Sequence, residues 1–235
     1  MFFSRQTKKQ KQLLRAAKQC APYAYETYLP YAECLLTEAK PIQKKKLGLR
    51  LIVVADTHGM LGHDQRFGAF VQNVREYDLC LLLGDVDYSD IEAVLESVPA
   101  EKILAVRGNH DCMNLTELGI HDLHGGAYTC KGVRFVGFEG AFKYKKGTFP
   151  CYTQAGSLSA VKRLPRRADV LLTHDAAMLA TAEDKAHPGL VGITRYLAEN
   201  AVQWHLHGHV HRSYSATYPC GTREKSVYLW ECVEI

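Results

Sequence analysis

Apolar residues run along this chain in short blocks separated by amphipathic stretches. The block LIVVA at 51–55 is continuous and rich in β-branched residues, which is typical of a strand buried on both faces. Comparable blocks predict strands at 49–55, 79–83, 102–106, 133–138, 169–173 and 204–208. Apolar residues at helical spacing predict helices at 65–76, 89–97, 157–163 and 189–200. This alternation of strand and helix predicts an α/β fold.

The two ends of the chain depart from this alternation. Residues 213–218 and 226–233 alternate in polarity and predict a closing antiparallel pair. Residues 5–20 predict a helix, and residues 23–39 predict a second helical segment interrupted at Pro30. We therefore expect two mixed sheets packed together as a β-sandwich and flanked by helices. We expect a helical extension at 1–46 to precede this main domain at 47–235.

Charge separates the extension from the rest of the chain. The net charge is +4, but residues 1–50 contain 11 basic and 3 acidic residues, whereas the remainder contains 18 and 22. Two interpretations of the basic extension stay open. It is either a solvated helix pair whose tyrosines and leucines pack on the body or on another subunit, or an arm that binds nucleic acid or another polyanion.

Composition excludes several classes of protein. The chain has 235 residues, 47% of them hydrophobic, which is enough for a sizeable core. It contains no run approaching the roughly 18 apolar residues of a membrane span, and its N-terminus lacks the apolar segment of a secretory signal. The eight cysteines include no C-x-x-C pair. We therefore expect a cytoplasmic protein with free thiols and no membrane partner.

Five of the predicted strands end at residues that can bind a metal. These residues, in chain order, are Asp56 and His58, Asp85, Asn109 with His110, His174, and His209 with His211. Because the carboxyl ends of parallel strands meet at one edge of a sheet, the sequence predicts that they converge there. Oxygen and nitrogen ligands without thiolates suit a divalent transition metal.

The chain resembles a known family at these residues. The blocks DTH, GD, GNHD, a single His after a strand, and GHVH occur in the order found in calcineurin-like metallophosphoesterases, and the resemblance to small bacterial and phage members covers about 47–235. It implies two divalent ions, with manganese preferred and iron or zinc as alternatives. Asp85 would bridge the two ions. Asp56, His58 and His211 would hold one ion, and Asn109, His174 and His209 the other.

The resemblance also implies a reaction, the hydrolysis of phosphomonoesters or phosphodiesters. A hydroxide shared by the ions would attack phosphorus directly without a covalent phosphoenzyme, and His110 would protonate the leaving oxygen as general acid. Arg107 either binds a phosphate oxygen or forms a surface ion pair. A nuclease is the alternative function, and a non-catalytic binding module is a third. The physiological substrate and the oligomeric state are left open.

Several residues depart from the family pattern or lie beyond it. The family usually reads GDxxD, with its second Asp orienting the general acid, but Tyr88 stands at that position, so the sequence leaves open whether Asp87, Asp111 or neither carboxylate orients His110. The alternation at 205–211 predicts four histidines on one face, of which His205 and His207 pack rather than bind metal. The basic and aromatic loop at 139–155 is either a recognition loop or a solvated lid. His187 either reaches the site or simply precedes a helix.

Overall fold

The computed structural model describes residues 6–19, 25–39, 41–42, 44–143, 150–179 and 187–235, which form two large β-sheets, one two-stranded sheet and six α-helices. The helices are α1 (Lys8–Gln19), α2 (Tyr25–Thr37), α3 (Arg66–Val74), α4 (Tyr88–Leu95), α5 (Gln154–Ala160) and α6 (Val191–Asn200). The strands are β1 (Arg50–Ala55), β2 (Leu79–Leu82), β3 (Ile103–Ala105), β4 (His121–Asp122), β5 (Ala127–Cys130), β6 (Val133–Phe138), β7 (Ala141–Phe142), β8 (Cys151–Tyr152), β9 (Val170–Thr173), β10 (Trp204–His207), β11 (Tyr214–Thr217), β12 (Arg223–Ser226) and β13 (Leu229–Glu234).

The first sheet is parallel except at one edge. Its strand order is β13-β1-β2-β3-β4, and β1 to β4 run parallel while β13 pairs antiparallel with β1. The second sheet has the order β11-β12-β10-β9-β6-β5, with antiparallel strands β11 and β5 at its two edges. The small pair β7-β8 lies apart from both. The carboxyl ends of β1, β2, β3, β9 and β10 therefore supply the loops in which the candidate residues lie.

The two sheets pack face to face over an apolar core. Leu51 and Leu81 of the first sheet and Phe135, Leu172 and Leu206 of the second are all fully buried in one cluster. The outer face of the first sheet is covered by α3 and α4, and that of the second by α5 and α6. This confirms the predicted α/β sandwich flanked by helices. None of the described helices has the length and apolar character needed to cross a bilayer.

The two N-terminal helices pack on the helical layer of the second sheet. Tyr28, Tyr31 and Leu35 of α2 are buried against Leu158 of α5 and Val191 of α6. The predicted interruption at Pro30 is wrong, because α2 continues through this residue. Pro30 is the sixth residue of α2, so the helix continues through it without the hydrogen bond that a backbone N–H at this position would donate to Glu26. The boundary between extension and main domain at residue 46 stays a prediction.

The predicted closing pair is also wrong in its pairing. Strand β11 pairs antiparallel with β12, at 223–226, and the later strand β13 crosses to the first sheet to pair with β1. Leu229, with φ of 66°, lies at the point where the chain leaves β12 and turns toward β13. Alternating polarity located β11 and most of β13, but it missed β12 except for Ser226 and carried no information about strand partners.

Two helical glycines allow a test of this packing. A Cβ on Gly192 of α6 would lie 2.5 Å from the backbone carbonyl oxygen of Ser157 in α5, whereas a Cβ on Gly68 of α3 meets nothing closer than 3.5 Å. We expect Gly192→Ala to lower the free energy of unfolding by about 1–3 kcal/mol through overpacking. The control Gly68→Ala should raise it by about 0.5–1 kcal/mol. Urea denaturation measures both, and equal effects would contradict this account of the α5–α6 contact.

Candidate metal centre

The predicted site residues converge at one edge of the sandwich. Two groups of ligand atoms form there, each with all its atoms within 4.8 Å of one another. The first group consists of Asp56, His58 and His211, and the second of Asp85, His174 and His209. Both groups are therefore assembled from strand ends of both sheets.

The first group lies at the more exposed side of the edge. His58 Nε2 and His211 Nε2 are 3.3 Å apart, and His211 Nε2 is 3.7 Å from Asp56 Oδ1. The second oxygen of Asp56 accepts a hydrogen bond from the backbone N–H of His209 at 2.7 Å. Asp56 Oδ1 itself is buried and has no hydrogen-bond partner among the described residues. A buried carboxylate oxygen in that state needs a cation to offset its desolvation.

The second group is almost completely buried. His174 Nε2 lies 3.1 Å from His209 Nδ1 and 3.1 Å from Asn109 Oδ1. Asp85 Oδ2 lies 3.5 Å from His174 Nε2 and 3.8 Å from His58 Nε2, so one oxygen faces a histidine of each group. The other oxygen of Asp85 accepts a hydrogen bond from the backbone N–H of His110 at 2.9 Å. Asp85 thus occupies the position between the two groups.

Left-handed backbone conformations aim these side chains. Asp56, His58, Asp85, His209 and His211 all have positive φ, between 46° and 69°. Such conformations cost about 1–3 kcal/mol each for residues other than glycine, and they cluster at functional sites. Each one turns the chain sharply as it leaves a strand, so that the side chain projects over the end of the sheet.

Close backbone approach explains two of the neighbouring glycines. A Cβ on Gly84 would lie 2.5 Å from the backbone nitrogen of Gly108 and 2.6 Å from His174 Nδ1. A Cβ on Gly108 would overlap the Asp85 carboxylate. The loops after β2 and β3 therefore come together only because neither residue has a side chain.

Electrostatics favour positive charge at this edge. Burial raises the pKa of the Asp56 carboxyl, and the charge of Asp85 adds to this effect. Burial opposes ionisation of Asp85 as well, but the adjacent His174 outweighs it and lowers the pKa of Asp85. The same attraction raises the pKa of His174 above its usual value despite complete burial. When no metal is bound, a proton on His174 therefore balances part of the negative charge of Asp56 and Asp85. A bound metal cation would replace that proton.

The donor atoms present fit a pair of divalent metal ions. Carboxylate oxygens, an amide oxygen and imidazole nitrogens face one another across both groups, without a thiolate. Asp56 Oδ1, which has no hydrogen-bond partner among the described residues, also favours a bound cation. Imidazole and carboxylate together favour manganese, iron or zinc over calcium.

Comparison with known proteins agrees with this geometry. Residues 49–223 match the family described as the calcineurin-like phosphoesterase superfamily domain. The chain belongs to this superfamily. No curated protein sequence matches it. The family contains phosphoester hydrolases, so membership sets the class of chemistry and leaves the substrate open.

Solved structures show the same fold at low sequence identity. The protein TT1561 of Thermus thermophilus is 11% identical with a TM-score of 0.57, covering 80% of this chain and 99% of that one. A dimetal phosphatase from Danio rerio is 11% identical with a TM-score of 0.53, covering 81% and 93%. The phosphopantetheinyl hydrolase PptH of Mycobacterium tuberculosis is 16% identical with a TM-score of 0.50, covering 81% and 90%.

His110 lies beside the metal-ligand groups of this superfamily member, and Arg107 lies two residues before Asn109 in the same loop. The His110 ring is exposed and lies edge-on to His58, with ring centroids 5.6 Å apart. The Arg107 guanidinium forms an ion pair with Glu139, at 2.8 Å from Nε and 2.7 Å from Nη2. The ion pair expected as one alternative for Arg107 is therefore present, but Glu139 is buried rather than at the surface. Glu139 lies in the loop after β6, and nothing in its local sequence indicated this contact.

The carboxylate that would orient His110 was left open between Asp87 and Asp111. Asp111 Oδ2 accepts hydrogen bonds from the backbone N–H groups of Asp85 and Gly108, at 2.8 and 2.7 Å. Burial raises the pKa of Asp111 to about 6. Within the described residues, neither carboxylate has a hydrogen bond to the His110 ring. Asp111 instead ties together the loops after β2 and β3.

The prediction that four histidines between 205 and 211 share one face is wrong. Strand β10 ends at His207, and His209 and His211 lie in the following turn, where positive φ redirects both side chains. His205 and His207 are buried instead with Glu224, and these three residues form a third group of candidate ligand atoms away from the strand-end site. His187 lies against the edge of the His209 ring, with centroids 4.7 Å apart, so it does reach the site.

A buried polar network supports the strand ends from the outer face. Glu224 of β12 accepts hydrogen bonds from Tyr218 Oη at 2.6 Å and from His207 Nε2 at 3.0 Å. His205 links Tyr218 Oη at 2.9 Å to Thr173 Oγ1 at 2.8 Å. Thr173 directly precedes His174, and His207 lies two residues before His209. The network therefore joins the two strands that carry the imidazoles of the second group.

Sequence reasoning missed Glu224 because it lies in a strand that the polarity pattern placed elsewhere. Burial alone would raise the pKa of Glu224, but hydrogen bonds from His207 and Tyr218 lower it to about 2. A carboxyl whose pKa is lower in the folded state stabilises the fold above its ordinary pKa. That contribution disappears as the pH falls through the folded value.

We therefore expect Glu224→Gln to lower the free energy of unfolding by about 2–3 kcal/mol at pH 7. The difference from the wild type should shrink as the pH falls from about 4.5 toward 2, where wild-type Glu224 loses its charge. Urea unfolding at pH 7, 5, 4 and 3 measures this difference, with exposed Glu96→Gln as the control. A difference that stays constant with pH would show that the charge of Glu224 does not matter.

Proposed function

We propose that the protein is a dinuclear metal-dependent phosphoesterase that hydrolyses phosphomonoester or phosphodiester bonds. One observation carries this proposal: Asp85 Oδ2 lies between His174 of one ligand group and His58 of the other, at 3.5 and 3.8 Å. That is the position a bridging ligand must have. The residue types, their order and the membership of the superfamily support the same reading.

Each ion would have its own ligands. Asp56, His58 and His211 would hold one ion, and Asn109, His174 and His209 the other, with Asp85 shared. Of these, Asn109 contributes its side-chain oxygen, which lies 3.1 Å from His174 Nε2. Manganese is the proposed metal, and iron or zinc are alternatives that the same donors accept.

The bound ions supply an activated water at neutral pH and positive charge for the phosphoryl oxygens. The protein's own side chains orient the substrate, neutralise its negative charge and protonate its leaving group. His110 is exposed, next to His58, and is placed to donate a proton to the leaving oxygen. Such general-acid catalysis contributes about 10²–10⁴-fold. Because water is the nucleophile, no side chain forms a bond to phosphorus.

Arg107 would neutralise a phosphoryl oxygen. Glu139 holds its Nε and Nη2 atoms, which fixes the plane of the guanidinium at the start of the loop that carries Asn109 and His110. The remaining N–H groups of this partly exposed side chain are the ones available to substrate. Glu139 thereby orients Arg107 without contacting the substrate itself.

Substrate class is the open part of this proposal, because a fold hosts many substrates. A nuclease is the second candidate, supported by the basic residues of α1. A non-catalytic binding module is disfavoured, since all seven proposed ligands converge. Relative rates on p-nitrophenyl phosphate, bis-p-nitrophenyl phosphate, cyclic nucleotides and single-stranded DNA, with Mn²⁺ present, separate these alternatives. The cytoplasmic location stays a prediction from the cysteine spacing.

Metal content tests the ligand assignment directly. We expect wild-type protein loaded with Mn²⁺ to hold two ions per chain, and His211→Ala to hold one. Asp85→Ala should weaken both sites by more than the roughly 10–100-fold that changes outside the ligand sphere cause. Mass spectrometry of the metal and calorimetric titration give these values. The exposed histidine variant His121→Ala serves as the control, and a wild type with fewer than two ions would refute the dinuclear assignment.

The leaving group tests His110. A nitrophenolate leaves without a proton, whereas the alkoxide of a dinucleotide does not, so a general acid matters far more for the second. We expect His110→Ala to slow dinucleotide hydrolysis by about 10²–10⁴-fold and bis-p-nitrophenyl phosphate hydrolysis much less. Steady-state kcat values for both substrates, compared with His121→Ala, measure the difference. Equal slowing would remove His110 from the acid role.

A further inference from the structure

The solvent-facing side of α1 carries a row of cations. Lys8, Lys11, Arg15 and Lys18 follow at intervals of three or four residues, so they lie along one face of the helix, and all are exposed. Lys9 is exposed beside the row. The helix contains no acidic residue in its sequence KKQKQLLRAAKQ. Its outer face therefore presents only positive charge.

The opposite face of α1 is already occupied by the protein. Ala17 is buried, and Leu13 and Leu14 pack in the same cluster as Tyr28 of α2 and Leu158 of α5. An amphipathic basic helix binds a membrane by inserting its apolar face. That face is unavailable here, so the cations alone are offered to a partner.

The amino end of α1 is held in place by specific hydrogen bonds. Thr7 Oγ1 accepts from the backbone N–H of Gln10 at 3.2 Å, and Gln10 Oε1 accepts from that of Thr7 at 3.1 Å, which is a reciprocal capping box. Thr7 Oγ1 also donates to Glu38 Oε2 at 2.8 Å, and Gln6 bonds to Tyr31 Oη. The row of cations is thereby displayed on a fixed helix.

This arrangement works against the stability of the helix. Lysines at 8, 9 and 11 lie in and just after the first turn, where the helix dipole is unfavourable to positive charge. Lys11 and Arg15 repel each other across one turn. Local arrangements that oppose stability while the surrounding contacts are well formed indicate a functional requirement. An anionic partner bound to this face would offset the repulsion among the cations.

We propose that the exposed face of α1 is a docking surface for nucleic acid, which it binds through the phosphate backbone. The row from Lys8 to Lys18 is about 15 Å long, from a rise of about 1.5 Å per residue. Each of its four cations can contact one phosphate of a single strand, so we expect about four phosphate contacts. The remainder of the chain after residue 50 has 18 basic and 22 acidic residues, so it attracts a polyanion less than α1 does.

This inference goes beyond the phosphoesterase proposal and does not depend on it. Binding is measured in EDTA, without turnover. If the protein binds DNA through α1 but hydrolyses no phosphoester, the docking proposal stands and the phosphoesterase proposal fails. If it hydrolyses phosphoesters but does not bind DNA through α1, the docking proposal fails and the phosphoesterase proposal stands.

The test compares two variants of equal net charge. The first replaces Lys8, Lys11, Arg15 and Lys18 by Gln, a good helix former. The control replaces four exposed cations of the main domain, Arg75, Lys102, Lys131 and Arg223, by Gln. Fluorescence anisotropy with a labelled 20-nucleotide single-stranded DNA gives the dissociation constant between 25 and 300 mM salt.

For the wild type we expect a linear fall of log K with log salt. The α1 variant should lose about 3 units of that slope, from about 0.7 per phosphate contact, and at least about 10-fold in affinity at 100 mM salt. The control should keep the wild-type slope. If the fourfold variant does not fold, as judged by circular dichroism, the pairs Lys8/Lys11 and Arg15/Lys18 should each remove about half of that slope.

Three results would overturn the proposal. The first is equal loss in the α1 variant and the control, which would show only a response to net charge. The second is binding of α1 to anionic phosphatidylserine vesicles in the absence of any DNA binding. The third is salt-sensitive self-association, seen by light scattering and lost in the α1 variant, without DNA binding, which would identify a second copy as the partner.

Discussion

The burial of two like charges at one edge of the sandwich is the constraint around which this structure is built. Asp56 and Asp85 are almost completely removed from water, and in the part of the chain that the structure describes their charged neighbours are imidazoles rather than lysine or arginine. Carboxylates in such surroundings are stable only with positive charge close by. A proton on His174 supplies part of it when no metal is bound, and divalent ions at the site would replace that proton. The carboxylates of the site therefore need a positive charge that its side chains balance only in part, and a bound cation would supply the rest.

Holding those ligands requires a backbone that few sequences tolerate. Five ligand residues lie in left-handed conformations, and Gly84 and Gly108 touch where a side chain would not fit. The strain is sustained because each of these residues lies within four residues of the end of a buried strand, β1, β2 or β10. The Glu224 network adds a second support from outside, where it joins Thr173 and His207 across neighbouring strands. The rigid sheets and the Glu224 hydrogen-bond network thus stabilise the strained backbone of the site.

Features that depend on a short stretch of sequence could be predicted, whereas features that depend on the pairing of distant strands could not. The positions of Asp56, Asp85, Asn109, His174 and His209 after apolar runs sufficed to place each of them near the carboxyl end of a strand. Their convergence also depends on how two separate sheets stack, which the apolar runs do not specify. The contacts of Glu139 and Glu224 were not predictable, because both depend on the register of strands far away in the chain. The shared face expected for residues 205–211 failed for a related reason. Alternation holds only while the strand continues, and β10 ends at His207.

The pairing of β13 with β1 has a consequence for how the chain reaches this state. Strand β1 lies between β2 and β13, and the backbone of Ile235 exchanges hydrogen bonds with that of Leu49. During synthesis on the ribosome, the strand that carries Asp56 and His58 emerges early but lacks one neighbour until the last of these residues has been added. Its exposed edge is open to wrong partners throughout that interval. Among the strand pairings of the described residues, β1–β13 joins the residues farthest apart in sequence, so we expect the strand that leads to Asp56 and His58 to be fully paired only late in folding.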